Sequence, residues 1–122
     1  LFDDLAESSN ESRNSLVERM LAEALRMEHH PLIRFRLGSS DKREPMLVGT
    51  RLAVRHVVTQ VRDADGGVDE VAEIMEIPVS SVRAVMSYYS DFLAEIDAEI
   101  VWATKIEDQG RARWEREQAV LA

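Results

Sequence analysis

The 122 residues contain no cysteine, which excludes disulfide staples and thiolate-held zinc and fits the reducing cytoplasm. No apolar run is long enough to span a membrane, and no secretory leader is expected. Catalytic groupings are missing too: there is no glycine-rich phosphate loop, no His-Glu metal motif and no serine beside a recognisable base. The carboxylates fall on helical faces open to solvent. The sequence therefore predicts no catalytic residue, no metal site, no cofactor and no membrane partner. What it does have is an ordinary apolar share, 45%, enough for a folded core and against wholesale disorder. The length suits one compact domain with small flanking parts.

Charge is uneven. The net charge of −8 argues against a generic nucleic-acid binder, yet residues 34–62 carry seven bases and two acids. The flanking stretches 1–33, 63–90 and 91–122 are each acidic. A basic band inside an acidic protein can still meet phosphates, because only charges within a Debye length of about 8 Å are strongly felt.

The stretch around which the chain is organised lies in that band. Met46, Leu47 and Val48, between Pro45 and Gly49, read as a strand. Gly49 and Thr50 turn the chain, glycine being free to adopt backbone angles closed to other residues. Val54, Val57, Val58 and Val61 then repeat at helical spacing. Pro45, Leu47, Gly49, Thr50, Arg51, Leu52 and Val54 together resemble the Pro…Leu-x-Gly-Thr-Arg-Leu-x-Val core of VapB-type antitoxins, small bacterial domains paired with PIN-domain ribonucleases. That resemblance implies a toxin partner with acidic residues clustered around a divalent metal.

Upstream, residues 1–9 read as a short helix with Leu1, Phe2, Leu5 and Ala6 on one face, stopped by Ser8, Ser9 and Asn10. A second helix starts between Ser12 and Ser15 and runs to about His29. Its apolar stripe is Leu16, Val17, Met20, Leu21, Ala24 and Leu25. Ser15 with Glu18 fits a capping box, and Ser12 or Asn14 fits the cap equally. This helical pair is similar to the helices of a ribbon-helix-helix domain. The resemblance implies an obligate dimer, a DNA-reading strand expected upstream of Leu1, and Ser12, Arg13, Asn14 and Ser15 as contacts to operator phosphate. Free amides at a helix start do favour an anion. A plain helical hairpin is the alternative. His29 and His30 are expected as solvated cations at the helix end.

Alternation places Ile33, Phe35 and Leu37 on one side of a half-buried strand, with Leu32, Arg34 and Arg36 on the other. Gly38 to Glu44 reads as a loop, with 45–48 returning as the paired strand and Pro45 at its start. Arg34 and Arg36 suit either phosphate binding or keeping a sheet edge soluble. Gly66 and Gly67 end the valine helix. Val68 to Glu76 and a helix from Ser80 or Ser81 then make a helix-turn-helix-like unit. Its second helix exposes Ser80, Ser81, Arg83 and Ser87, a weak groove reader, so packing is its first expected role.

From Asp91 one long helix is predicted, with Phe92, Leu93, Ile96, Ile100, Ala103 and Ile106 as a stripe and Gly110 as a weak point. Beyond Gly110 it is expected to project. Trp102, Ile106, Arg111, Arg113, Trp114 and Arg116 are the candidate toxin-binding residues: tryptophans as apolar anchors, an arginine to pair metal-binding carboxylates. Pairing with a second copy is the alternative use of this helix. The expected fold is mainly α with a small two-stranded β-hairpin, divided as ribbon-helix-helix-like helices at 1–30, an antitoxin core at 31–90 and a partner-binding helix at 91–122. The expected function is a cytoplasmic, dimeric or higher-order antitoxin that neutralises a PIN-domain toxin and represses its own operon. A stand-alone dimeric regulator and an interaction adaptor are the alternatives.

Overall fold

Ser12 starts the helix that runs to His29. Its backbone is extended and its hydroxyl oxygen accepts the Ser15 amide at 3.2 Å, which settles the cap among the three candidates. The computed structural model describes residues 3–5, 12–38 and 41–122. Of the expected helix over 1–9, residues 3–5 are helical; the remainder, with its Ser8-Ser9-Asn10 stop, lies outside the described residues. The fold is mainly helical, with a two-stranded antiparallel hairpin and a long C-terminal helix, as the sequence predicted. Among the described residues no helix is long and apolar enough to cross a membrane.

The chain forms two compact units, residues 1–52 and 53–122. In the first, helix α1 (Arg13–His29) packs on strand β1 (Ile33–Leu37), which pairs with β2 (Arg43–Leu47). Leu16, Ile33, Pro45, Met46 and Leu47 are buried. Pro45 lies in the middle of β2, opposite Phe35, not at a strand start, and the connecting loop is shorter than predicted. The Leu47 amide explains why proline is tolerated there. It donates away from β1, to the Leu52 carbonyl at 2.9 Å. Two residues earlier the Pro45 nitrogen therefore faces the same outer edge, where no ladder bond is lost.

Most of α1's apolar stripe is open: Leu21 is 60% and Leu25 66% exposed. His30, expected in solvent, is buried as the helix's C-terminal cap, its amide donating to the Arg26 carbonyl at 2.8 Å. Its carbonyl accepts the Ile33 amide at 3.0 Å, so both backbone groups are satisfied where the residue is buried.

The second unit is built from α2 (Val54–Asp63), α3 (Val68–Met75), α4 (Val79–Asp91) and α5 (Leu93–Leu121). Helix α2 touches the other three, α3 packs on α4, and α4 on α5. Seven valines (54, 57, 58, 61, 71, 82 and 85) are buried with Tyr88 and Ile96. β-Branched residues are mediocre helix formers, so these helices owe their order to burial, about 1.5–3 kcal/mol for each large apolar side chain removed from water. The α3–α4 turn is tight because Glu76 takes left-handed angles, φ 56° and ψ 44°, and Pro78 precedes the first turn of α4.

Candidate functional site

The Gly-Thr-Arg turn is where the sequence signal is densest, and its geometry separates scaffold from free chemistry. Gly49 has φ 76°, a region that favours glycine. The Thr50 hydroxyl donates to the Leu47 carbonyl at 2.8 Å and accepts the Leu52 amide at 3.0 Å, closing the turn from inside. Glycine and threonine are thus spent on backbone shape. Arg51 is left exposed.

The basic band is dispersed by local pairing. Arg43 makes a bidentate bridge to Glu23, Nε to Oε2 at 3.0 Å and Nη2 to Oε1 at 2.7 Å, tying β2 to α1 with Arg19 3.7 Å from the same carboxylate. The Arg34 guanidinium donates to the Pro31 and Ile33 carbonyls, both at 2.9 Å. Arg62 is engaged within the second unit, as described below. Of the two arginines proposed for the outer face of the hairpin, Arg34 therefore serves its own backbone, and Arg36 is exposed.

Ser12, Arg13, Asn14 and Ser15 are all exposed at the α1 start. The cap bond occupies the Ser15 amide, and the Ser12 hydroxyl donates to Ser15 Oγ at 2.9 Å. Arg13 lies 3.7 Å from Asp3, both well exposed, a pairing of little energetic weight.

At the other end, α5 runs unbroken through Gly110 to Leu121; a lone glycine costs only about 1 kcal/mol, which neighbouring good helix formers absorb. Its 29 residues span about 43 Å at 1.5 Å per residue. Ile96 is fully buried, and Trp102 and Ala103 half-buried. From Thr104 to Ala122 every residue except Ala112 is exposed. Ile106 and Leu93, expected in the buried stripe, are 46% and 51% exposed: Ile106 lies past the last half-buried residue of the packed face, Ala103, and Leu93 opens the helix off that face. Trp114, Val120 and Leu121 stand open at 59%, 85% and 78%. Arg113 and Arg116, three residues apart, share a helical face. Arg111 lies 3.8 Å from Asp108.

One constellation escaped the sequence reading. The Arg62 guanidinium, at the end of α2, donates from Nη2 to both the Tyr89 hydroxyl on α4 and Asp97 Oδ1 on α5. The Tyr89 hydroxyl donates to the same Asp97 oxygen at 2.6 Å. The guanidinium carbon also lies 5.4 Å from the Tyr89 ring centroid, within cation–π range. Three helices meet at one arginine. Partners 27 and 35 residues away in sequence leave no periodic trace; only Arg62's place in a helix's last turn hinted at a role.

The Tyr89 hydrogen bond, with the Arg62 hydrogen bond and charge, holds the Asp97 carboxyl below the ordinary carboxylate range against an opposing desolvation. The same Asp97 hydrogen bond, then desolvation, pushes the Tyr89 hydroxyl up, and Arg62 is raised, first by Tyr89. A depressed carboxyl stabilises the fold above its unfolded pKa, near ~4, and loses that share as pH falls through the folded value. The difference in urea midpoint between the unaltered chain and Asp97→Asn should accordingly stay constant from about pH 7 to pH 5 and shrink below about pH 4. A gap that persists at pH 3 would mean the carboxylate charge is not what Asp97 contributes.

Among the described residues no cluster of three histidine or acidic side chains could hold a metal. No family model, no curated protein and no solved structure matches this chain.

Proposed function

We propose that the chain is a cytoplasmic antitoxin. Its first unit pairs with a second copy through the open apolar face of α1 and holds operator phosphate at Ser12 to Ser15. Its C-terminal helix docks on a PIN-domain ribonuclease, with Trp114 as anchor and Arg113 or Arg116 facing the metal-binding carboxylates of the toxin. The observation that carries this reading is the open half of α5. A helix ordered over about 19 residues without a core of its own, offering Ile106, Trp114, Val120 and Leu121, suits insertion into a partner's groove. The Gly-Thr-Arg core supplies the resemblance that makes a PIN-domain ribonuclease the partner.

The test is co-expression with the product of the adjacent reading frame, followed by RNA cleavage assays. The unaltered chain should co-purify and suppress cleavage. Trp114→Ala should release cleavage while retarding its own promoter DNA as well as the unaltered chain does. A chain that elutes alone yet retards its promoter would replace the antitoxin by a stand-alone regulator. Loss of both activities in Trp114→Ala would sink the division of labour.

A further inference from the structure

Helices α4 and α5 are separated by one residue. Phe92 has φ −129° and ψ 38°, far from the helical ψ of about −42°, and it ends α4 by donating its amide to the Tyr88 and Tyr89 carbonyls at 3.1 Å. Helices break sharply at proline, glycine or an inserted group, and 88–95 (Tyr-Tyr-Ser-Asp-Phe-Leu-Ala-Glu) contains neither proline nor glycine. No side chain of Phe92 caps the new helix. Ser90 and Asp91 favour a boundary, and the Ser90 hydroxyl donates to the Ser87 carbonyl at 2.7 Å, but no proline or glycine enforces one; restoring helical angles at Phe92 would join α4 and α5 into a single helix.

Contacts from other helices hold the break. Ile96, one turn past it, is fully buried, and Arg62 with Tyr89 fastens Asp97 to α2 and α4, while the Phe92 ring rests locally against Tyr88 at 4.7 Å between centroids. The fastening side chains are 46% exposed at Arg62 and 38% at Asp97. Exposed ion pairs contribute little individually, so this fastening opens at small cost while the valine core stays folded.

We infer that Phe92 is a joint and that Arg62, Tyr89 and Asp97 form a clasp that sets the direction of the distal arm. Closed, the clasp holds the bend. Opened, it lets the arm swing about the joint while Ile96 stays buried. A contact that draws Arg62 away, or competes for Asp97, would therefore redirect the arm without unfolding the unit. The inference rests on the three helices alone and holds whatever the arm binds.

Spin labels at Gln60 on α2 and Gln109 on the arm, both exposed, report the angle through the distance between them in the full-length chain. The unaltered chain should give one narrow distance. Asp97→Ala should add a second, shifted population, and Tyr89→Phe, which keeps the ring, should add it to a lesser extent. Arg83→Gln should leave the single distance in place. Circular dichroism checks that each variant keeps its helicity, and Tyr89→Phe remains informative if Asp97→Ala unfolds. One unshifted distance in every folded clasp variant would overturn the inference, as would two comparable populations in the unaltered chain.

Discussion

Tyr88→Ala is expected to destabilise the second unit by about 3–5 kcal/mol, the range for emptying a buried aromatic site. Tyr88 is fully buried on α4, in the helix that contacts each of the other three. Its ring is tilted against Phe92, so truncation removes packing at the core and at the α4–α5 break together. Because small domains are stable by only about 5–15 kcal/mol in total, one such cavity takes a large part of the margin. Urea unfolding followed by circular dichroism should show the midpoint fall with little change in slope. Tyr88→Phe keeps the ring and should lose only about 1 kcal/mol, the net worth of one hydrogen bond. Equal losses in the two variants would place the energy in the hydroxyl rather than in packing.

On the proposed antitoxin reading, ending the chain after Lys105 is expected to have the opposite profile: almost no effect on the urea midpoint, and loss of ribonuclease inhibition by at least about a hundredfold. That loss corresponds to about 2.7 kcal/mol of binding energy, modest for removing an aromatic anchor together with its surrounding contacts. The residues removed are exposed except Ala112, so the core loses no burial. A marked fall in stability would mean that the distal arm packs on its own unit or on a second copy. Inhibition unchanged by the deletion would move the toxin-binding surface off α5, with Trp114 no longer its anchor.

The legible parts of this protein were those written at short range. Alternation at 33–37 and the 3–4 spacing of Val54, Val57, Val58 and Val61 gave the hairpin and the central helix; the four valines and Ile33 are buried, Phe35 is half-buried, and Leu37, expected on the same side, is 57% exposed at the strand's end. Pro45 was placed at a strand end because proline lacks a ladder donor. In a two-stranded sheet alternate amides of either strand face outward, so mid-strand is equally permitted. The long helix was expected to start at Asp91, but Asp91 closes the preceding helix and the break falls one residue later, at Phe92, where contacts from other helices help fix the angle. The apolar faces of α1 and α5 were readable as apolar. Periodicity does not say whether a face is covered, and Leu21, Leu25, Ile106 and Trp114 are largely open. The Arg62 clasp was invisible for a related reason: a charged residue on a helix surface has the same local signature whether it meets water or a distant carboxylate. Of the candidate site residues, Ser12 was legible only as one of three possible helix caps, and its bond to the Ser15 amide is what selects it.

The valine-rich core has a consequence for how order is distributed along the chain. Valine is a poor helix former in isolation, so α2 and the inner turns of α4 acquire their hydrogen bonds only when the whole unit closes. Their amide protons then exchange with solvent through global opening. The distal part of α5, rich in alanine, glutamate, glutamine and arginine, is the reverse: strong local propensity with nothing packed over it. Its hydrogen bonds form quickly and fray quickly, independently of the core. Amide protection should therefore decline steeply within a single continuous helix, from a slow segment around Ile96 to a fast one beyond Lys105.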